Sequence, residues 1–237
     1  MVKPNIDEML VERCPTGIPG FDKLCNGGLV RNNTYVVKGG PGAGKTIFLL
    51  QYLWTGLAYN ENGLYISFES DLADVMQDAY ILGWDFGKYD QYGKCKFVRL
   101  DPSISDKELS KQILSLVSKY DVKRICIDPL SVFNMTINDP AKIRRILYDL
   151  CALLKRLKVT VLLSLETSGD GDGELGQGKD ELHNIVEFLV DGVITLHSLG
   201  IGGEADRAIR IVKMRRTPHV REPMPMKITN QGIIVLS

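Results

Sequence analysis

Eight consecutive residues, Gly39-Gly40-Pro41-Gly42-Ala43-Gly44-Lys45-Thr46, carry the strongest chemical signal in the chain. They fit the pattern Gly-x-x-x-x-Gly-Lys-Thr. Glycines let the backbone turn inward, so that successive N–H groups point at phosphate oxygens. A helix that begins at the loop adds the positive end of its dipole. Lys45 is then the group for β and γ phosphates and the Thr46 hydroxyl is a ligand for Mg²⁺. The binding segment is taken as Gly39 to Ile47. Chemistry on a triphosphate needs a carboxylate for the metal or its waters, and Asp128, closing the apolar run RICID, suits that role. Glu69 follows the apolar run GLYISF and is the candidate for orienting or deprotonating water; a solvated turn residue is the other reading. Glu166 ends another apolar run, and two readings stand for it: a sensor of the γ-phosphate or a plain loop carboxylate.

These residues need a scaffold that brings strand ends together. Thr34 to Lys38 reads as a buried strand entering the glycine loop, and Lys45 to Ala58 as the helix leaving it, with Leu49, Leu53 and Leu57 on one stripe. Strands are expected at Gly63 to Phe68, Lys96 to Leu100, Arg124 to Asp128 and Val159 to Leu165. Helices are expected at Asp71 to Leu82 with Gly83 just beyond, at Ser105 to Lys119 with Ser105 as cap and Glu108 three residues on, and at Pro140 to Leu157. This alternation predicts an α/β core, a mostly parallel central sheet with helices on both faces. Strands expected at Asp191 to His197, Arg207 to Met214, Met224 to Ile228 and Gly232 to Leu236 read as a C-terminal antiparallel extension. In such sheets the carboxyl ends of the strands converge on the ligand. No linker rich in Pro or Ser interrupts the 237 residues, so residues 1–237 are expected to form one domain.

Composition bounds the function classes. Hydrophobic residues at 44% and charged residues at 24% are ordinary for a soluble globular protein. A formal net charge of zero argues against a general binder of nucleic acid or acidic membrane. The five cysteines form no Cys-x-x-Cys pair and the three histidines are scattered, so a zinc site is not expected. Cys126 and Cys151 are expected in the core, and free thiols suit a reducing cytosol. The N-terminus has no apolar core like that of a signal peptide, and no stretch is apolar enough to span a bilayer. The expected location is cytoplasmic.

Beyond the phosphate loop, the opening Pro15-Thr16-Gly17-Ile18-Pro19-Gly20-Phe21-Asp22-Lys23-Leu24 and Gly27-Gly28-Leu29 resemble KaiC-type domains of the RecA superfamily. So do Ser67-Phe68-Glu69, Asp128, Glu187 to Val193, Lys213 to His219 and Ile228 to Ile233, so that the resemblance runs from about Cys14 to the end. It implies a RecA-like P-loop NTPase core, with ATP and Mg²⁺ as cofactors. It also implies a homo-oligomer, favoured as a hexameric ring with ATP or ADP between neighbours. Glu69 falls at the family's catalytic glutamate. Lys213 and Arg215 fall where relatives reach across to the neighbour's γ-phosphate, and His219 where they contact the neighbour's nucleotide. Read without the resemblance, Lys213 and Arg215 are charges that keep an exposed strand edge soluble. Some relatives have two adjacent glutamates where this chain has Glu69-Ser70, and Asn230 stands where others have Asp. Clock-type relatives join two such domains in one chain, so an autokinase clock function is not implied.

Ser168 to Glu181, SGDGDGELGQGKDE, is glycine-rich and acidic. Its charge argues against a DNA clamp, and a solvated connection is the favoured reading. A basic tail (Arg207, Arg210, Lys213, Arg215, Arg216 and Arg221) keeps a recombinase-like DNA-binding ATPase as the lesser alternative. A non-hydrolysing ATP-binding regulator is the third. The sequence names no protein partner.

Overall fold

A computed structural model describes residues 11–137, 139–167, 181–198 and 207–236. In chain order it contains β1 (Arg13–Cys14), α1 (Phe21–Leu24), β2 (Leu29–Val30), β3 (Thr34–Gly39), α2 (Lys45–Ala58), β4 (Asn62–Ser67), α3 (Leu72–Ile81), α4 (Phe86–Gln91) and β5 (Cys95–Arg99). Then follow α5 (Asp106–Lys119), β6 (Val122–Asp128), α6 (Val132–Thr136), α7 (Pro140–Arg156), β7 (Thr160–Glu166), α8 (Glu181–Leu189), β8 (Gly192–Ser198), β9 (Arg207–Met214), β10 (Met224–Thr229) and β11 (Gly232–Val235).

Among the described residues, nine strands form one sheet in the order β11-β10-β9-β8-β3-β7-β6-β4-β5. The strands from β8 to β5 pair in parallel, and β9, β10 and β11 add antiparallel to the β8 side. Side chains alternate between two cores, as the pleat requires. Tyr35 and Val37 of β3 join α1 to α4 on one face, while Val36 joins α5 to α8 on the other.

The expected α/β architecture is observed, with a change in the direction of one strand. Asp191 to His197 was expected in the antiparallel extension, yet β8 runs parallel to β3, Tyr35 opposite Gly192. The cause is α8, which lies between β7 and β8 and makes a crossover possible. The antiparallel part therefore begins at β9. Helix α2 differs too. Besides Leu49 and Leu53, its Phe48, Leu50 and Tyr52 are buried, because the N-terminal segment and the β10–β11 hairpin cover flanks that the sheet leaves open. Cys126 is fully buried as expected, whereas Cys151 is only half-buried and Cys14, Cys25 and Cys95 are all in the core.

Helix ends follow local chemistry. Asp71 and Ser105 cap α3 and α5 by accepting from Ala73 N and Glu108 N, and Asp139 caps α7 from Ala141 N and Lys142 N. Of the glycine-acidic segment, Ser168 to Asp180 lie outside the described residues and Glu181 opens α8. Residues 1–10 lie outside them as well. No helix among the described residues is long and apolar enough to cross a membrane.

Candidate functional site

Strand β3 ends at Gly39, and the turn to α2 is forced by its glycines. A Cβ on Gly39 would lie 2.5 Å from the Leu196 carbonyl oxygen. Gly42 and Gly44 sit at φ +72° and +99°, which L side chains rarely adopt. Gly44 is also the N-cap of α2, so no capping side chain engages the first-turn N–H groups, and the first turn has no acidic residue. Those donors and the helix dipole point out of the loop together, the arrangement that suits an anion.

Lys45 is buried, and its ammonium donates to the carbonyl oxygens of Gly39 and Gly40 at 2.9 and 3.0 Å. Glu166 Oε1 is 3.9 Å away, on the exposed last residue of β7 directly beside Gly39. Burial pulls the Lys45 pKa below that of a free lysine, against the opposing charges of Glu166 and Asp128. Both acceptors are backbone oxygens of the loop itself, so the cation sits at the floor of the cradle.

Asp128, the last residue of β6, is 6% exposed and surrounded by hydroxyls. Oδ2 accepts from Thr46 Oγ1 at 2.9 Å and from the Tyr65 hydroxyl at 2.6 Å. Oδ1 accepts a short bond from Ser164. The Thr46 hydrogen is thus directed at the carboxylate, which leaves the oxygen lone pairs for a cation. Burial, with the Asp128 charge adding to it, pushes the Tyr65 phenol well above its usual pKa and keeps it a donor. A hard cation such as Mg²⁺ takes oxygen ligands of this kind, and the donor set fits it.

Glu69 is exposed in the bend after β4, at the same edge as Asp128, since Ser67 pairs with Asp128 in register. Ser67 Oγ donates to the Ser70 carbonyl and shapes that bend. Lys45, Thr46, Asp128, Glu69 and Glu166 therefore meet at one sheet edge.

Lys213, Arg215 and His219 do not join them. Near the end of β9, Lys213 pairs with Val193, and Gly192 pairs with Tyr35 at the beginning of β3. That is the opposite edge, about 13 Å of strand from Gly39 at ~3.3 Å per residue. Lys213 is not an outward edge charge. Its ammonium donates to the Glu187 and Val190 carbonyl oxygens at the C-terminal end of α8, at 2.9 and 2.7 Å. Burial, then the neighbouring Arg215 charge, lowers its pKa. Arg215 is half-exposed, 3.6 Å from Asp191 Oδ1, and His219 Nδ1 lies 3.0 Å from the Thr217 carbonyl oxygen. The basic tail is partly spent on the chain itself: Arg216 donates to Asn33 Oδ1 and Arg210 to the Arg221 carbonyl.

Sequence reasoning missed Tyr65, Ser164 and Gln51. Gln51 of α2 donates to the Gly17 and Ile233 carbonyls and accepts from Ile233 N, tying the helix that carries Lys45 to both ends of the chain. The opening Thr16-Gly17 motif is a packing device: Asp22 accepts from Thr16 N, Thr16 Oγ1 and Gly17 N. Gly17, at φ +72°, sits so close to Thr55 of α2 that an added Cβ would fall 1.9 Å from its hydroxyl. Tyr65 and Ser164 lie inside apolar strand runs, where each reads as a core residue.

The parallel sheet, the glycine turn into α2 and the carboxylate at the end of β6 define a P-loop protein with a RecA-like core. The profile of the family described as "ATPase: KaiC" matches residues 14–237. A UPF0273 protein of Thermotoga maritima is 33% identical, the match covering 95% of this chain and 96% of that one. The circadian clock oscillator protein KaiC of Prochlorococcus marinus is 30% identical over 97% of this chain, which spans only 46% of that longer protein. A solved KaiC-like protein from Pyrococcus horikoshii superposes with a TM-score of 0.83 at 32% identity, covering 96% of this chain and 100% of the other. The chain belongs to the KaiC ATPase family.

Proposed function

We propose that residues 1–237 act as one ATPase domain that binds Mg²⁺-ATP on Gly39 to Ile47 and hydrolyses it at subunit interfaces of a ring. Its nucleotide state then regulates assembly or partner binding. The observation that carries this reading is the convergence of Lys45, Thr46 and Asp128 at the mouth of a dipole-bearing glycine turn. Thr46 and Asp128 would hold Mg²⁺ or its waters. The bound metal supplies positive charge to the β and γ phosphate oxygens. Lys45 leaves its two carbonyl acceptors to face the same oxygens. Glu69 orients the attacking water and takes its proton as the new P–O bond forms and the bond to the β–γ bridging oxygen breaks.

The opposite placement of Lys213 and Arg215 supports a trans role. Neither can serve its own loop from the far sheet edge, whereas a neighbouring copy in a ring can present its far edge to this one. A cation delivered in this way stabilises charge on the transferring phosphoryl group. A cytoplasmic location completes the reading, and a nucleic-acid role stands as the disfavoured alternative.

The test combines particle mass with and without Mg²⁺-ATP and phosphate release. The wild type should gain mass to a ring and release phosphate. Glu69→Gln and Arg215→Ala should each lower release by about 100-fold or more, and rings mixed from the two variants should regain part of it. Release by Glu69→Gln at the wild-type rate, or mixed rings as inactive as their parents, overturns the assignment of those residues.

A further inference from the structure

We propose that Tyr65 is the positioning residue of the metal site: its hydroxyl, donated to Asp128 Oδ2, fixes the carboxylate that aims the Thr46 oxygen at Mg²⁺. This rests on the reading of Thr46 and Asp128 as the Mg²⁺-ATP site.

The geometry is specific. Oδ2 of Asp128 accepts two hydrogen bonds, from Thr46 on α2 and Tyr65 on β4, while Oδ1 is held from β7 by Ser164. A carboxylate on its own rotates about its Cβ–Cγ bond, and each rotation would carry the Thr46 hydrogen with it or break that bond. With donors on both oxygens from two strands, the plane of the carboxylate is fixed. The Thr46 hydrogen then has one acceptor and its lone pairs have one direction. Tyr65 is itself held: its ring stacks on Phe97 of β5 at 5.0 Å and 20°, and Phe97 in turn packs against Phe86 at 5.1 Å. The restraint therefore runs from the hydrophobic core through a phenol to a metal ligand. Outer hydrogen bonds of this kind commonly set metal affinity by 10–100-fold. A core tyrosine needs some partner for its hydroxyl, but a backbone carbonyl would satisfy it; here the partner is the carboxylate that also receives Thr46.

Tyr65→Phe keeps the stacked ring and removes only the donor. ADP binding by calorimetry in EDTA, and across a Mg²⁺ titration, reads the metal separately from the phosphate cradle and needs no turnover. The expected result is an EDTA affinity within about twofold of wild type and a Mg²⁺ midpoint about tenfold higher. A midpoint equal to that of a Mg²⁺-responsive wild type overturns the role of Tyr65 and leaves the site reading intact. So does an EDTA affinity that falls as far as the Mg²⁺ affinity, which would mark a merely structural effect. A wild type indifferent to Mg²⁺ overturns both. If Tyr65→Phe does not fold, Phe97→Leu decides: it keeps the phenol but removes its stacking partner, and must raise the Mg²⁺ midpoint severalfold, whereas an unchanged midpoint overturns the proposal.

Discussion

Strand β6 carries a buried charge near each end, and the two are handled in opposite ways. Near its start, Arg124 is fully buried. Its guanidinium donates to Glu61 at 2.5 Å and to the Pro15 and Tyr52 carbonyls at 2.8 and 2.9 Å, and lies 4.6 Å from the centre of the Tyr52 ring. Glu61 also pairs with Arg31 at 2.5 Å. At the other end Asp128 meets three neutral hydroxyls and forms no ion pair among the described residues. One end answers charge with charge from its own chain. The other orients a carboxylate with hydroxyls alone. Burying charge is costly unless it is paired, so the first arrangement belongs to folding, and the second fits the proposed Mg²⁺ site.

The contrast predicts different failures. Arg124→Ala should have the largest effect on the fold. It leaves three acceptors without their donor and opens a cavity beside Gly56, where the Arg124 side chain packs so tightly that an added Cβ would lie 2.6 Å from Cδ. Loss of one partner from a buried pair costs about 3–5 kcal/mol, read as a lower denaturant midpoint. The nucleotide affinity of the fraction that remains folded should not change. Lys45→Ala should do the reverse. Charge-assisted hydrogen bonds of about 1.5–3 kcal/mol predict ATP binding weaker by roughly 10–150-fold. The unliganded protein should be no less stable, because burial already works against the charged form of Lys45. A fall in stability comparable to that of Arg124→Ala would erase the distinction between the two ends of β6.

The two ends were not equally legible. The glycine turn and the strand-end positions of Asp128 and Glu69 could be read because each follows an apolar run and strand ends converge in this kind of sheet. The caps Asp71 and Ser105 could be read because they act within three residues. Arg124 could not be matched to Glu61, 63 residues earlier, since nothing local records which strand lies beside which. Tyr65 sits inside GLYISF and reads as a core aromatic; only the third dimension brings its hydroxyl to Asp128. The direction of β8 depends on α8, whose amphipathic stretch directly follows a glycine-acidic run that masks it in the sequence. Lys213 looked like a free edge charge because its acceptors are backbone carbonyls, which carry no mark in the side-chain sequence.

The smallest predicted effect sharpens the comparison through pH. Burial raises the Glu61 pKa, but hydrogen bonds and charge from Arg124 and then Arg31 outweigh it and leave the carboxyl below its ordinary value of 4.5. A depressed folded-state pKa means that the unfolded chain binds the proton more readily. The contribution of Glu61 is therefore complete above pH 4.5 and is lost as pH falls through the lower folded-state value. Glu61→Gln keeps much of the shape and removes the charge. At pH 7 it should cost about 1–2 kcal/mol, less than Arg124→Ala because the amide oxygen still accepts from one guanidinium. The difference in unfolding free energy between wild type and Glu61→Gln should be flat from pH 8 to 5 and shrink on further acidification. A difference independent of pH down to 3 would mean that the carboxylate acts there by shape and not by charge, and the contrast with Asp128 would then lie in packing alone.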